Sequence, residues 1–350
     1  MAAVLEVTPE NAWTALLRRL QQDKAGAISL AIVVVYLVMI LFAMAGWLAG
    51  GWSQEVGVPY ANPAFLGERP NLEAALQRRT EQKGQAPDLR DIDPLAPRYE
   101  EWAKRTQELK SVEPARSLTL PWGGDRWGRD VLDKAIKGSQ VSIAVGVVAA
   151  LCATLIGTLL GALAGFYGRW VNDFFEWLYN VFTSIPSILL VFALAAVLRS
   201  GPLGKVLAEG IWMVVVILSV TGWTGMYRLV RAEYMKHRSR EYVLAAQAIG
   251  ASAASRMFIH ILPNVSHVIL VQLSLLVVAF IKVEVILSFL GLGVPIDMVS
   301  WGTMLSEAQT ELVIGKWWQL AAATFFMAIF LTAFSMLTDS LRDALDPKLR

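Results

Sequence analysis

Six long apolar stretches, nearly free of charge, constrain this chain more than any other feature of its sequence. They lie at residues 27–48, 141–166, 178–198, 211–226, 265–289 and 318–337. A helix rises about 1.5 Å per residue and the hydrocarbon layer is about 30 Å thick, so five stretches are long enough to cross a bilayer and the fourth is marginal. With 55% hydrophobic and only 17% charged residues, the composition excludes a typical soluble domain. The sequence predicts an all-α membrane protein with six transmembrane helices.

The charges of the loops predict how these spans are oriented. The segment at residues 227–263 carries six basic residues, whereas the segment at residues 291–315 carries none. Lys and Arg are enriched in short loops on the cytoplasmic side of a membrane. We therefore expect the connection between the fourth and fifth spans to be cytoplasmic. Because the number of spans is even, both termini are expected on that side as well.

The spans also predict the organisation of the chain. Its parts are a cytoplasmic segment (1–26), a first transmembrane helix (27–48), a long external lobe (49–138), a five-helix core (139–338) with a cytoplasmic loop (227–263), and a cytoplasmic tail (339–350). The lobe carries both signs of charge, and long loops are exempt from the charge rule. Within the lobe, residues 73–81 and 99–109 are predicted to be helical.

A short amphipathic helix is predicted inside the cytoplasmic loop, at residues 239–251. Tyr242, Ala245, Ala246 and Ile249 recur at i, i+3, i+4 and i+7 and form a narrow apolar face. Gly250 follows at the helix end, where a positive φ costs glycine little. Small residues would let this face enter a cleft in a partner. The alternative is a helix that lies on the lipid surface.

The sequence contains no motif that indicates catalysis. It has no G-x4-G-K-[ST] phosphate loop, no H-E-x-x-H zinc motif and no G-x-S-x-G nucleophile turn. Cys152 is the single cysteine, and two of the three histidines, His260 and His267, are seven residues apart on a helix that is expected to break at Pro263. We therefore expect no enzymatic activity in this chain, no cofactor and no metal site.

Several separate blocks of sequence carry a family resemblance. They are Trp122-Gly-Gly-Asp125-x2-Gly128-Arg129-Asp130, Gly165-Phe-Tyr-Gly168, Arg228-x2-Arg231, Arg240-Glu-Tyr-Val243, Ala245-Ala246-x3-Gly250, His260-x-Leu-Pro-Asn264, Glu284-x2-Leu-Ser-Phe-Leu-Gly-Leu-Gly293 and Leu341-Arg-Asp-Ala-Leu-Asp-Pro347. In kind and order, these blocks resemble the second permease subunit of dipeptide and oligopeptide ABC importers, a family that also handles nickel and opine-like solutes. The resemblance covers most of residues 120–347.

The resemblance implies the type I permease fold of ABC importers, in a multi-pass protein of the bacterial inner, or plasma, membrane. It implies a second permease subunit that completes a heterodimer, two ATPase subunits, an external solute-binding protein and the lipid bilayer as partners, and no nucleic acid. ATP hydrolysis would reside in the ATPase subunits. This chain would then form half of the translocation channel for peptides or similar small solutes.

The resemblance further assigns the cytoplasmic loop to coupling with the ATPase subunits. The residues it implies are Glu241, Tyr242, Ala245, Ala246, Ile249, Gly250, Leu262 and Pro263. The family motif usually has Glu directly before Ala-Ala, but Leu244 stands there in this chain and Glu241 comes about one turn earlier. We expect an intact docking helix that lacks the family's salt-bridging Glu at that position.

Two spans carry residues that alter helix packing or shape. Gly157, Gly161 and Gly165 recur every four residues in the second span and so share one helix face, where another backbone can approach closely. This face packs either within the subunit or at a seam near the channel or the second subunit. Pro186 interrupts the third span, and such a kink is either ordinary membrane-helix structure or part of a gate.

Lys282 and Glu284 are the charges deepest in an apolar span. Their two-residue spacing points them to different helix faces, so they cannot simply pair with each other. Glu284 lies about 30 Å along the fifth span, close to its outer end. For Glu284, an inter-helix hydrogen bond or interfacial anchor and a contact of the outer vestibule both remain open, whereas anchoring is favoured for Lys282. With Pro186, these residues are the candidates for the pathway or gate.

Two other classes of membrane protein are alternatives. An ion-coupled secondary transporter would carry midplane ionisable residues and internal repeats, and the sequence presents neither. A membrane-embedded hydrolase is disfavoured because the motifs for its chemistry are missing. The sequence does not identify the transported solute.

Overall fold

The structure is a computed structural model that describes residues 23–67, 93–108, 116–201, 211–295 and 297–345. The described residues form two compact units, one within residues 53–132 and the other made of the rest. The helices are α1 (Lys24–Met44), α2 (Tyr99–Glu108), α3 (Val131–Tyr167), α4 (Arg169–Thr183), α5 (Ser187–Ser200), α6 (Trp212–His237), α7 (Glu241–Ala248), α8 (Ala253–Phe289), α9 (Trp301–Val313) and α10 (Trp318–Leu345). The strands are β1 (Gly57–Pro63) and β2 (Ser117–Leu120), and single 3₁₀ turns lie at Ala64–Leu66 and Ala96–Arg98.

Five helices are long and apolar enough to cross a membrane, and they correspond to five of the six apolar stretches: α1, α3, α6, α8 and α10. The sixth stretch corresponds to α4 and α5, which pass the same test as a pair. The predicted helical fold class is thereby confirmed. Several of these helices are longer than the apolar stretch that predicted them, because the helix continues through polar residues beyond the hydrocarbon layer. Helix α6, for example, extends to His237.

The pair of α4 and α5 is bent by 88° at a break between Thr183 and Ser187. Proline has no backbone N–H and disfavours a helical residue before it, so α4 ends ahead of Pro186 and a new helix starts after it. The backbone oxygen of Pro186 accepts hydrogen bonds from the N–H groups of Leu189 and Leu190. The kink predicted at Pro186 is therefore a full break of the helix.

Contacts at the ends of α3 and α6 indicate that the bent pair crosses the membrane once. The guanidinium of Arg238, just after α6, donates to the backbone oxygen of Phe166 at 3.3 Å, so α3 and α6 end on the same side. The 26 residues of α6 make a helix about 39 Å long, which therefore begins on the opposite side. The chain must cross between the end of α3 and the start of α6, and α4 with α5 supply that crossing. The arrangement agrees with six spans rather than five.

The larger unit packs around a central apolar core. Helix α1 packs chiefly against α10, while α8 contacts α6, α9 and α10, and α6 also contacts α4 and α5. The largest buried side chains of this core include Ile217, Ile281, Leu287, Trp301 and Phe330. Lipid chains are as apolar as these side chains, so their burial stabilises the helix bundle through close van der Waals packing and not through removal from water.

The glycine face of α3 packs within the subunit, directly against α6. A β-carbon at Gly157, Gly161 or Gly165 would lie 2.7 Å, 2.7 Å and 2.6 Å, respectively, from the backbone oxygens of Trp223, Tyr227 and Arg231. Real β-carbons do not approach oxygens so closely, so any larger residue would force the two helices apart. Of the two alternatives for this face, the structure supports tight packing inside one chain.

The smaller unit is built around two parallel strands, which the sequence analysis did not predict. β1 pairs with β2 from Gly57 opposite Ser117 to Pro63 opposite Leu120, with an irregularity between these points. The fully buried carboxylate of Asp125 accepts hydrogen bonds from the Nε of Arg129 at 2.7 Å and from two backbone N–H groups of its own turn. Helix α2 confirms the helix predicted at 99–109, while that predicted at 73–81 lies outside the described residues.

Candidate functional site

The basic loop at residues 227–263 continues α6 into a short turn and then into α7. Arg240 is the N-cap of α7, with an extended backbone (φ −76°, ψ 147°) that turns the chain into the new helix. Lys236 and His237 lie in the last turn of α6, and Glu241 lies in the first turn of α7. The charges of Lys236 and Glu241 each lie at the helix end whose dipole they stabilise.

Gly250 ends α7 in a left-handed conformation, as the sequence predicted. Its φ is +89°, and its N–H donates to the backbone oxygen of Gln247 at 3.0 Å. The next N–H, of Ala251, donates to the oxygen of Ala246 at 2.9 Å. This pair of bonds is the Schellman motif, which satisfies carbonyls that the helix end would otherwise leave unpaired. Glycine is favoured there because a β-carbon disfavours that φ.

One face of α7 is anchored on the chain itself. Val243 and Ala246 are buried, and Val243 joins a core cluster that includes Tyr234, Met257 and Ile261. The hydroxyl of Tyr234 donates to the backbone oxygen of Met257 at 3.1 Å, which ties α6 to the start of α8 beneath α7. The apolar face predicted from the sequence is therefore divided. Ala246, placed there in the docking set, faces inward because the buried face of α7 passes through positions 243 and 246.

The outer face of α7 is apolar and exposed. We call Tyr242, Leu244, Ala245 and Ile249 the exposed face of α7. Ile249 is 85% exposed at the tip of the helix, and Leu244 is 52% exposed. Scattered exposed apolar residues are ordinary, but a group of four on one short helix in a polar, basic loop is typical of a contact surface. Leu244, which replaces the family's usual Glu, belongs to this surface.

Polar contacts fasten α7 to the end of α3. The guanidinium of Arg256 donates to the side-chain oxygen of Gln247 on α7 and lies 5.3 Å from the ring centroid of Phe166. The hydroxyl of Tyr242 is 2.8 Å from the Nδ1 of His237. Burial raises the pKa of the Tyr242 phenol above its usual value. Together with Val243, these contacts hold α7 as a rigid projection of the helical core.

Leu262 and Pro263 lie where α8 widens into a π-helical turn, Arg256–Ile261. The sequence analysis expected the helix to break at Pro263, and this was wrong: α8 is continuous from Ala253 to Phe289. Proline clashes with the carbonyl four residues earlier and cannot donate to it. The wider turn relieves both problems, and the N–H of Leu262 donates instead to Met257, five residues back.

The candidate gating residues differ in their exposure and in their hydrogen bonds. Pro186 is exposed at the break before α5, and Lys282 is exposed on α8. Glu284 is fully buried, and its Oε1 accepts a hydrogen bond of 2.7 Å from the Ser288 hydroxyl one turn along α8. The burial of Glu284 favours a hydrogen-bonding role inside the subunit over a contact of an open vestibule. In the part of the chain that the structure describes, no three His, Cys, Asp or Glu side chains form a group that could hold a metal ion.

Two polar clusters were not identified from the sequence. The guanidinium of Arg231 on α6 binds Asn172 and Glu176 of α4. The buried ammonium of Lys134 on α3 binds Glu307 of α9 at 2.6 Å and Gln319 of α10 at 3.0 Å. Arg231 lies in one of the sequence blocks that carry the family resemblance, but its partners are about 60 residues away in sequence. No local spacing indicates pairs so distant.

Comparison with known proteins gives consistent matches. The profile of the family described as "Binding-protein-dependent transport system inner membrane component" matches residues 157–350. The oligopeptide transport system permease protein OppC of Bacillus subtilis is 35% identical over 256 residues, which cover 73% of this chain and 81% of OppC. The matched family region contains α4 to α10 and hence the whole basic loop.

Two further relatives differ in the solute of their printed names. The dipeptide transport system permease protein DppC of Bacillus subtilis is 38% identical over 244 residues, covering 67% of this chain and 73% of DppC. The glutathione transport system permease protein GsiD of Pectobacterium atrosepticum is 37% identical over 230 residues, covering 65% of this chain and 72% of GsiD. All three are permease proteins of transport systems.

Proposed function

We propose a function from the premise that this chain belongs to the family of binding-protein-dependent transport system inner membrane components. The chain is a multi-pass permease subunit of an ATP-driven importer. In the proposed assembly it forms half of the translocation channel and a second permease subunit forms the other half. Two ATPase subunits dock on this permease pair, one of them on the basic loop of this chain, and an external binding protein delivers the solute. The basic loop and both termini face the cytoplasm.

The proposed solutes are peptides or peptide-like molecules. The three relatives are named for oligopeptides, dipeptides and glutathione, which share an amide backbone with charged ends. The names differ in the length and chemistry of the peptide, so they support peptides as the class of solute and do not identify one peptide.

The exposed face of α7 is the observation that carries the proposal. A rigid helix that buries Val243 and presents Ile249 at 85% exposure suits a knob that enters a cleft of a partner. The cleft is proposed to lie on the family's ATPase subunits. Closure of the ATPases on ATP would then push α7, and because α7 is fastened to α3, α6 and α8, the push would reorient the spans.

An Ile249→Glu variant tests this docking role. A carboxylate buried in a protein contact without a partner is costly, so the variant should lose ATPase binding. The chain offers a matched control in Ile314, which is 54% exposed and ends α9. Ile314 also precedes a left-handed glycine, Gly315, in the same hydrogen-bonding motif. An Ile314→Glu variant makes the same chemical change at the end of α9, outside the basic loop.

The measurement is co-purification of the ATPase subunits with each tagged variant, at matched amounts of permease in the membrane. We expect Ile249→Glu to lose the ATPase subunit that docks on this chain, and Ile314→Glu to retain both ATPase subunits. Retention of both ATPases by Ile249→Glu at wild-type levels would contradict the proposal.

A further inference from the structure

Arg231 lies where three helices of the core, α3, α4 and α6, meet. Its backbone contacts the glycine face of α3, where the β-carbon of Gly165 would lie 2.6 Å from its oxygen. Its side chain extends the other way, to α4. α6 is therefore fixed at this level on one side by close packing and on the other by a charged side chain.

The guanidinium makes two directed contacts with α4. Its Nε donates to the Oδ1 of Asn172 at 2.6 Å, and its Nη1 lies 3.2 Å from the Oε2 of Glu176. The hydroxyl of Tyr227, one turn earlier on α6, donates to the same carboxylate oxygen at 3.5 Å. Asn172 and Glu176 are four residues apart and so lie on one face of α4. The planar guanidinium holds both in a fixed geometry, which a flexible ammonium would not.

The same stretch of α6 leads directly to α7. Tyr234, one turn after Arg231, is fixed to Met257 at the start of α8. Arg238 then binds the end of α3, and Arg240 begins α7. A displacement of α7 therefore reaches Arg231 through one continuous helix and its anchors.

α4 connects Arg231 to the break in the bent pair. Asn172 and Glu176 lie on α4, which ends at Thr183, and the chain then turns by 88° into α5. α5 also packs against α6, and its Val191 and Ala195 are buried in the same apolar core as Met213 and Val214 of α6. Both arms of the bent pair thus pack against α6.

We propose that Arg231 is a positioning residue that clamps α4 to α6, so that displacement of α7 moves α4 as one body with α6 and is taken up at the break around Pro186. In this role Arg231 acts through α4 and not by binding solute or nucleotide. This inference rests on the proposed function, since it needs α7 to be the element that the ATPases move.

Charge exchange tests the clamp. Glu176→Arg and Arg231→Glu each place like charges face to face, and the double variant restores an opposite pair. The amide of Asn172 can turn to donate to the new carboxylate, because Asn both donates and accepts. The matched control exchanges Glu101 and Arg105, an exposed ion pair 3.1 Å long within the single helix α2.

We expect uptake per assembled complex to fall about tenfold or more in each single variant, which corresponds to about 1.4 kcal/mol of lost coupling. ATPase subunits should still co-purify, and ATP hydrolysis should continue, so the ratio of solute moved to ATP hydrolysed falls. The double variant should recover most of the uptake, and the control exchange should resemble wild type. Wild-type uptake in the single variants, or no recovery in the double, would overturn the proposal. Loss of ATPase binding in Ile249→Glu is a separate outcome, so failure of the proposed function would be recognised independently.

A spectroscopic measurement does not depend on how well the charge variants fold. Spin labels at Trp177 and Arg228, both exposed, would report the distance between α4 and α6 in a Cys152→Ala background. In the assembled complex, that distance should stay constant between the nucleotide-free and the ATP-bound, hydrolysis-blocked states. A change of that distance in the otherwise wild-type protein would overturn the clamp, whatever the variants do.

Discussion

A β-carbon on Gly161 would lie 2.7 Å from the backbone oxygen of Tyr227, so α3 and α6 touch backbone to backbone. The contact repeats one turn to either side, at Gly157 and Gly165. Such proximity makes the α3–α6 pair the rigid part of the core. The basic loop projects from the end of α6, and the end of α3 supports it through Phe166.

Replacing Gly161 by Ala should destabilise the subunit by about 1–3 kcal/mol, the usual range for overpacking. Gly225, on α6, is a matched control, because a β-carbon there would come no closer than 3.7 Å to Gln272. Gly225→Ala should be neutral or stabilise by about 0.5–1 kcal/mol through helix propensity. Unfolding midpoints of the two purified variants check this. An equal effect of the two substitutions would refute the close approach.

Gly250→Asp should leave the subunit in the membrane but abolish transport. The φ of +89° costs a residue with a β-carbon about 1 kcal/mol or more, and the carboxylate would be buried in the proposed ATPase contact. Gly315→Asp is the control, since Gly315 has a φ of +78° in the same motif at the end of α9. Uptake and subunit abundance are measured together. If both variants transport equally well, α7 is not the coupling element.

Lys134 and Glu307 should respond unequally to mutation. The Lys134 side chain is 1% exposed, whereas that of Glu307 is 27% exposed and can reach water. Glu307→Leu removes the carboxylate from the buried ammonium and leaves it the neutral oxygen of Gln319, which should cost up to about 3–5 kcal/mol. Lys134→Leu should cost less, and the double variant should regain part of the loss. Unfolding midpoints of the three variants decide the order, and a larger loss in Lys134→Leu would contradict the burial of that side chain.

Single cysteines at Ser200 and Ser239, in a Cys152→Ala background, test the crossing of the bent pair. Ser200 ends α5 and Ser239 follows α6, and both are exposed. In intact cells, an impermeant thiol reagent should label the cysteine at position 200 and spare that at position 239. Protection of position 200 would mean that α4 and α5 turn back to the same side. Labelling of position 239 from outside would show that the basic loop is external and that the proposed orientation is inverted.

Long apolar runs made the spans predictable, because the bilayer imposes a length that sequence alone reveals. Local chemistry was predictable as well: Gly250 was assigned a left-handed helix end, and Pro186 a distortion of its helix. What local pattern could not give was the direction of side chains relative to the rest of the fold. The sequence pattern places Ala246 in an apolar stripe that would face a partner. Its side chain is instead buried against the chain itself, because Met257 and Ile261 lie beneath α7.

Contacts between segments that are distant in sequence could not be predicted either. The glycine face of α3 was recognised, but its partner on α6 was not, since periodicity reports a face and says nothing of what covers it. Arg231 with Glu176 and Lys134 with Glu307 pair across helices that only the fold brings together. The expected break at Pro263 failed for another reason: a π-turn absorbs a proline without ending the helix.

The central claim is that this chain moves solute by coupling to ATP hydrolysis in partner subunits. Its most direct test is uptake of labelled short peptides into vesicles that hold the assembled complex, with ATP and ion gradients controlled separately. The account predicts uptake that requires ATP and the binding protein, persists when ionophores collapse the gradients, and is lost in Ile249→Glu. Uptake that continues without ATP and stops with the ionophores would contradict it.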